Sequence, residues 1–398
     1  MNVLVINCGS SSVKYQVLNP DKDELLCKGL IELSGDTSTF SYTRTGSEKM
    51  SKTVPLADHT AGVKMILETI TDPEIGCISD IKEIGAVGHR MVHGGEDFAA
   101  SVLVDEDVMK KCEINSELAP LHNPANIAGV RACQAVMPDV PMALVFDTAF
   151  HQTMEPEAYL YAIPYEYYEK FKVRKYGFHG TSHLFVSQEA AKVLGKKPEE
   201  VKIITCHIGN GGSCAAVEYG KCVDTSMGLT PLEGLIMGTR SGDLDPAVIT
   251  FLMSKLNISA EEVLDILNKK SGLLGITGIS NDMRFVDEAA AKGNDRACVA
   301  LKMFARRVKG YIGNYLAQMN GADAIVFTAG VGENDAEMRE MICKNMENLG
   351  IHFDAEKNAK KETVFSTDDS AVKLLLIPTN EELVIARDTA RLAAEAVK

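Results

Sequence analysis

The sequence predicts an α/β protein built from two related units, and three observations carry that prediction. Apolar strand-like runs alternate with helix-like segments along the whole chain, the pattern of sheets covered by helices. A strand, a Gly/Ser-rich turn and a second strand open the chain in "VLVINCGSSSVKYQVL", and the same unit returns about 200 residues later in "VKIITCHIGNGGSCAAVEYG". The length, 398 residues, gives each of two domains enough chain for its own core.

The elements follow in order. In "VKYQVL", apolar Val13, Tyr15 and Val17 alternate with polar Lys14 and Gln16, the period of a strand with one buried face. The opening turn therefore joins strand to strand. A P-loop needs a strand, a glycine loop and then a helix, and neither G-x-x-x-x-G-K-[ST] nor G-x-G-x-x-G occurs. In "HNPANIAGVRACQAVM", Asn123 is the expected N-cap with Pro124 at the first helical position. A helix in "GTSHLFVSQEAAKVLG" is expected to start at Thr181 or Ser182 and stop at Gly195, and "SAEEVLDILNKKSG" carries a capping box from Ser259 to Glu262. A long helix from about Arg296 to Met319 puts Phe304, Val308, Tyr311, Tyr315 and Met319 on one stripe. The strand "AIVFTAG" runs into a helix capped near Asn334, and strand "VKLLLIP" precedes a final helix, "EELVIARDTARLAAEAV".

Composition narrows the function. A net charge of −14 is not the footprint of a nucleic-acid binder, so an anionic ligand must be drawn in by local cations. Ten cysteines, none in a C-x-x-C pair, read as buried reduced thiols. No secretory signal or spanning apolar stretch is evident, so a cytoplasmic protein without a membrane partner is expected.

Several constellations could carry chemistry. Backbone N–H groups of a Gly/Ser turn form a concavity for anions, and "NCGSSSVK" adds the hydroxyl of Ser12 and the cation of Lys14; the alternative is a solvated serine hairpin. Asp147 ends the apolar run of "VFDTAF", where a carboxylate needs a cation, a metal or donors, unless it caps a turn. Arg90 in "GHRMVHGGE" and Arg240 in "MGTRSGDLDP" present planar forks suited to carboxylate or phosphate, with glycines that permit close backbone approach; either alone could be a structural ion pair. His89/His93 and His179/His183 share i,i+4 spacing, but nothing nearby completes a zinc site. His179 stands just before a helix start, where anions are favoured, and could equally be a packed turn histidine. Thr379 and Glu382 have capping-box spacing, which leaves Glu381 free for a metal, and Asp282 in "SNDMR" could simply cap its helix.

The ordered set "NCGSSSVKY", "HRMVHGGE", "PLHNP", "VFDTAFH", "YGFHGTSH", "HIGNGGS", "GTRSGDLDP", "FTAGVGEN" and "PTNEELVI" resembles the acetate kinase family from first strand to last helix. That family lies in the acetate and sugar kinase, Hsp70 and actin superfamily. The resemblance implies two duplicated ribonuclease H-like domains with a nucleotide cleft between them. Residues 1–150 plus 383–398 would form an N-terminal lobe with the metal-linked turn and part of the acyl site, and 151–382 the nucleotide-binding lobe. It implies reversible transfer of the ATP γ-phosphate to acetate, giving acetyl phosphate and ADP, with Mg²⁺ (Mn²⁺ as a substitute), in a homodimer. By resemblance, Asn7 and Glu381 are metal-linked; Ser12, Lys14, His207, Ile208, Gly209, Asn210, Gly211, Asp282, Met283, Arg284, Gly330, Val331, Gly332, Glu333 and Asn334 contact ATP. Arg90, His122, Asp147, His179 and Arg240 form the catalytic group, and Arg90, Val92, Leu121, Phe178 and Pro231 receive the acyl group.

Phosphoryl transfer leaves a protein mainly positioning and charge neutralisation, so the cations are expected to matter most. Acetate is already ionised at pH 7 and needs no general base, so Asp147 is expected to orient an arginine or a metal-bound water. Direct in-line transfer is expected over a glutamyl-phosphate route. Propionate or butyrate kinases of the same family, and a non-enzymatic actin/Hsp70-like nucleotide switch, are the competing readings.

Overall fold

The computed structural model describes residues 1–396. The chain divides into two compact units, Met1–Phe150 with the chain from Asn380 onward, and His151–Thr379.

Among the described residues the first unit holds eight strands: β1 (Asn2–Cys8), β2 (Ser12–Asn19), β3 (Glu24–Glu32), β4 (Ser38–Arg44), β5 (Met50–Val54), β6 (Ile84–Met91), β7 (Val102–Leu103) and β8 (Met142–Phe146), in the order β5-β4-β3-β2-β1-β6-β8-β7. β1 and β2 form the antiparallel hairpin expected from the alternation, with Asn7 opposite Lys14, and β6 and β8 run parallel beyond β1. Val13, Tyr15 and Val17 are buried as the period of two requires, packed with Leu4, Ile6 and the helix His59–Ile70 through Val63 and Ile66. The helix Glu381–Ala396 returns to this unit and packs on β6, β8 and β1.

The second unit repeats the plan. β9 (Lys202–Ile208), β10 (Gly212–Glu218), β11 (Lys221–Thr225), β12 (Ala324–Thr328) and β13 (Lys373–Leu376) lie in the order β11-β10-β9-β12-β13. The β9–β10 hairpin is antiparallel, while β12 is parallel to both β9 and β13. The run β3-β2-β1-β6-β8 thus has the same sense, strand for strand, as β11-β10-β9-β12-β13. The helix Asp295–Gln318 lays Phe304, Val308, Ile312 and Tyr315 into the core, with Tyr311 only partly buried.

Most helix ends fall within a residue or two of expectation, but the capping chemistry differs in four places. Asn123 is inside its helix and His122 is the N-cap; the Asn123 amide instead brackets His93, accepting from its N–H at 3.0 Å and donating to its carbonyl at 2.9 Å. The helix Gly180–Val193 starts a residue earlier than Thr181, after His179 in the left-handed region at φ 57°. After β12, a short helix Ala329–Asn334 intervenes, and Asp335, not Asn334, caps the helix Ala336–Cys343 by accepting from Met338 N–H at 2.8 Å. Thr379 does not cap the last helix. Asn380 does, its Oδ1 accepting from Leu383 N–H at 3.1 Å, while Thr379 bonds Ser182 at 2.8 Å. The Ser259–Glu262 capping box is as expected, with reciprocal bonds of 3.2 and 2.8 Å.

Candidate active site

In the first unit the candidate residues converge at the C-terminal ends of β1, β6 and β8. Asp147, one residue past β8, is buried and grips Arg90 of β6 at two points: Nε donates to Oδ1 at 2.9 Å and Nη2 to Oδ2 at 2.5 Å. Arg90 Nη1 also reaches Asn7 Oδ1 at 3.5 Å. Burial works against the Arg90 charge, but Asp147, Glu381 and Glu382 outweigh it and hold the guanidinium above its ordinary pKa. Glu381 begins the last helix, and burial, with Arg90 opposing and Asp147 adding to it, pushes its carboxyl up to about 7. A cavity of about 440 Å³ is lined by Asn7, Lys14, Arg90, Glu381 and Glu382, and continues over β3 and β4 to Lys28, Ser41 and Thr43. Both glutamates line it, so the inference that a capping box removes Glu382 from the site does not hold: its premise fails with Thr379. Ser12 accepts the Gly9 N–H on its carbonyl at 2.7 Å, which closes the opening turn. Val92 is buried, Leu121 is 74% exposed, and His122 sits at its helix N-cap.

In the second unit the left-handed turn at His179 aims its ring at the β9–β10 hairpin. His179 Nδ1 meets Ser213 Oγ at 2.8 Å, and the ring stacks on His207 with centroids 4.2 Å apart. Ser213 also meets His183 Nε2 at 2.8 Å, whose Nδ1 contacts Thr205 at 2.7 Å, and His207 Nδ1 contacts Ser182 at 2.8 Å. Burial lowers the His183 pKa well below its ordinary value, so this buried ring is neutral. A methyl group placed on Gly211 would lie 3.4 Å from Arg240 Nη1 and 3.9 Å from the His179 ring, so both side chains border this one glycine.

Arg240 stands out for what it lacks. Its Nη1 donates to the Pro231 carbonyl at 3.3 Å and touches Met237 sulfur, and among the described residues it has no carboxylate partner. Burial alone shifts its pKa, downward. A largely desolvated guanidinium without a counter-ion is costly and is ready for an incoming anion. The glycines beside it have another cause than close ligand approach. A Cβ at Gly242 would strike the Leu235 carbonyl at 2.3 Å, with φ at +67°, and one at Gly238 would sit 1.9 Å from Asn210 Oδ1.

A second cavity, about 910 Å³, is lined by Gly209, Asn210, Gly238, Asp282, Met283, Arg284, Gly330, Val331 and Asn334. Asp282 does cap its helix, accepting from Arg284 N–H at 3.0 Å, and also pairs with the Arg284 side chain, while both residues line the cavity. Of the other residues assigned to ATP, Ile208 and Gly332 are buried behind the wall, and Glu333 turns inward to accept from Ala329 N–H at 2.9 Å. Ala329 itself holds φ +65°, a strained value for a residue with a Cβ, where the chain leaves β12. Phe178 is buried, and its carbonyl meets His151 Nε2 at 2.9 Å. Asn281, Asp287, Asp335 and Glu337 also line this cavity and were not anticipated; isolated polar residues carry no local signal. Ser213 was legible as the last residue of the glycine turn.

Two duplicated α/β units, each carrying a glycine-turn hairpin, with an anion-seeking arginine and a nucleotide-sized cavity, define a phosphotransferase of the actin/Hsp70-like class. The Acetokinase family model matches residues 2–387, and the chain belongs to that family. It is 59% identical to the acetate kinase of Thermotoga maritima over 394 residues, covering 98% of each. The crystal structure of Porphyromonas gingivalis acetate kinase superposes with a TM-score of 0.95 at 47% identity, over 98% of this chain and 99% of that one. A propionate kinase from Francisella tularensis superposes with a TM-score of 0.92 at 43% identity, over the same shares. The protein is thus an enzyme, a kinase whose phosphoryl acceptor is a carboxyl group. No helix among the described residues is long and apolar enough to cross a membrane.

Proposed function

We propose that the protein transfers the ATP γ-phosphate to the carboxylate of acetate, reversibly, giving acetyl phosphate and ADP by direct in-line displacement. The observation that carries this reading is Arg240, desolvated and without a carboxylate partner beside His179 and Gly211. The reaction gathers a carboxylate and two phosphates, and like charges 4 Å apart repel by about 4 kcal/mol at an effective dielectric near 20. Arg240, His179, Arg90 and Lys14 are the groups we assign to neutralise that charge.

The attacking atom is an acetate oxygen, already ionised, so no side chain has to remove a proton. The two-point contact from Asp147 supports a positioning role: it fixes the plane of Arg90 and leaves Nη1 turned toward Asn7. We assign Val92, Leu121, Phe178 and Pro231 to the methyl group, and His122 to the same reaction. The glycine turn Gly209–Gly211, Asp282–Arg284 and Gly330–Asn334 are assigned to ATP, on the support of the 910 Å³ cavity that most of them line.

For a divalent metal, Asn7 and Glu381 offer hard oxygen ligands in one cavity, and among the described residues no group of three or more acidic, histidine or cysteine side chains is arranged to hold a metal ion by itself. That donor set fits Mg²⁺, with Mn²⁺ as a substitute, because magnesium takes few protein ligands and fills its sphere with phosphate oxygens and water. When bound, it supplies charge neutralisation at the phosphates. A homodimer is proposed on the helix Ala247–Leu256, which is strongly apolar yet buries none of its residues.

Incubation with ATP, Mg²⁺ and acetate in the presence of hydroxylamine should yield acetohydroxamate, and no hydroxamate would end the proposal. Propionate is the competing acceptor, and one methylene is worth only about 1–3 kcal/mol. We expect kcat/KM to fall in the order acetate, propionate, butyrate.

A further inference from the structure

Cys27 and Cys77 lie 50 residues apart in the chain, yet their sulfurs are 3.3 Å apart. Cys27 is buried at the middle of β3, held between Val17 of β2 and Arg44 of β4. Cys77 follows the helix His59–Ile70, anchored by its N–H to the Ile70 carbonyl at 2.9 Å, and is half-buried. A disulfide needs the sulfurs to approach by a further ~1.3 Å, to about 2.0 Å.

Other cysteines lack this combination. Cys206 and Cys214 also contact each other, but both are fully buried, out of reach of an oxidant. Cys298 is half-buried, and its sulfur donates to the Ala290 carbonyl at 3.6 Å. Among the described residues, Cys77 is thus the accessible thiol with a second thiol in contact.

Its surroundings favour ionisation. The hydrogen bond with Cys27 lowers the Cys77 pKa, burial opposes this, and Tyr42 and Arg44 add to the lowering; Cys27 is shifted upward. That asymmetry separates an attacking thiolate from a resolving thiol.

We propose that Cys27 and Cys77 form a peroxide-responsive dithiol, a modification site separate from the phosphoryl-transfer groups. The Cys77 thiolate attacks one oxygen of hydrogen peroxide; the O–O bond breaks, hydroxide leaves, and Cys77 becomes a sulfenic acid. The Cys27 sulfur then attacks the Cys77 sulfur, the S–O bond breaks, and the Cys27 proton joins the departing hydroxide as water. Two thiols and one peroxide give one disulfide and two waters. The new bond ties β3, whose Lys28, Gly29 and Leu30 line the 440 Å³ cavity, to the segment after the first helix. Closing a loop of this length restricts the unfolded chain, so the oxidised protein should melt higher.

The test uses the full-length reduced protein, treated with a few equivalents of hydrogen peroxide, alkylated and digested without reductant. We expect a Cys27–Cys77 linked peptide about 2 Da below the summed reduced masses, reversed by dithiothreitol. The melting midpoint should rise by several degrees on oxidation. Cys77→Ser should abolish both effects, and Cys27→Ser should leave a Cys77 sulfenic acid that dimedone captures. If peroxide leaves both thiols of the wild-type protein open to alkylation, or joins Cys77 to another cysteine, the proposal is overturned. That readout needs no variant to fold.

Discussion

Asp147 and Arg90 are locked together by a two-point ion pair, although 57 residues separate them, because β6 and β8 run side by side in parallel. Asp147→Asn removes the charge and leaves the half-buried Arg90 without its main counter-ion. Losing one positioned charge-stabilising group costs about 3–4 kcal/mol at the transition state, so kcat/KM should fall by roughly 10²–10³-fold. Positioning also predicts that the variant keeps the pH profile of the wild type. Loss of the acid-side limb in the variant would instead make Asp147 a proton carrier.

Among the described residues, removing Arg240 breaks no ion pair. Arg240→Ala should therefore keep its melting midpoint within about 3 °C of wild type while kcat falls by at least ~10³-fold. Calorimetry and steady-state kinetics on one preparation check both halves. Near-native turnover would remove Arg240 from the reaction.

Glu381 sets a pH dependence whose sign can be worked out. Its carboxyl, pushed up to about 7 in the folded protein, sits above an ordinary value of 4.5, so between those values the folded state binds more protons than the unfolded state. Metal-free stability should fall as pH rises through that window, by on the order of 3 kcal/mol. Glu381→Gln should then raise the melting midpoint at pH 8 and change it little at pH 5. The same variant should weaken metal dependence, raising the Mg²⁺ concentration needed for half-maximal rate. A variant with wild-type metal dependence would exclude Glu381 as a ligand.

Gly238 packs against Asn210 and Asn281 at the wall of the large cavity. In Gly238→Ala, the added methyl would meet Asn210 Oδ1 at 1.9 Å and the Asn281 carbonyl at 2.8 Å, so the glycine turn must shift. ADP binding by titration calorimetry should weaken at least ~10-fold, about 1.4 kcal/mol. Unchanged affinity would place the nucleotide elsewhere.

Phe251 is 60% exposed on the apolar helix Ala247–Leu256. If that helix is the dimer face, Phe251→Asp should convert the particle to a monomer in light scattering, with secondary structure intact. A variant of unchanged mass would put the interface on another face.

Legibility differed by residue, for physical reasons. The two hairpins were readable because alternation and glycine turns act between near neighbours. The expected caps at Asn123 and Thr379 failed because each side chain found a distant partner, His93 and Ser182, better than the local helix end. Asp282 was readable both as a cap and as a ligand-facing residue, and it does cap, at the cavity wall. Asp287 and Asp335 gave no sign, since nothing in an isolated carboxylate says which cavity it will line.

The amino-acid sequence by itself determined the strands, the paired hairpins, the long amphipathic helix and the net charge of −14, all set by local periodicity, turn geometry and composition. Only tertiary structure decided that Arg90 is neutralised and Arg240 is not, that Glu381 is buried, and that Cys27 meets Cys77. Those outcomes depend on desolvation and on contacts between residues far apart in the chain, and folding alone creates both.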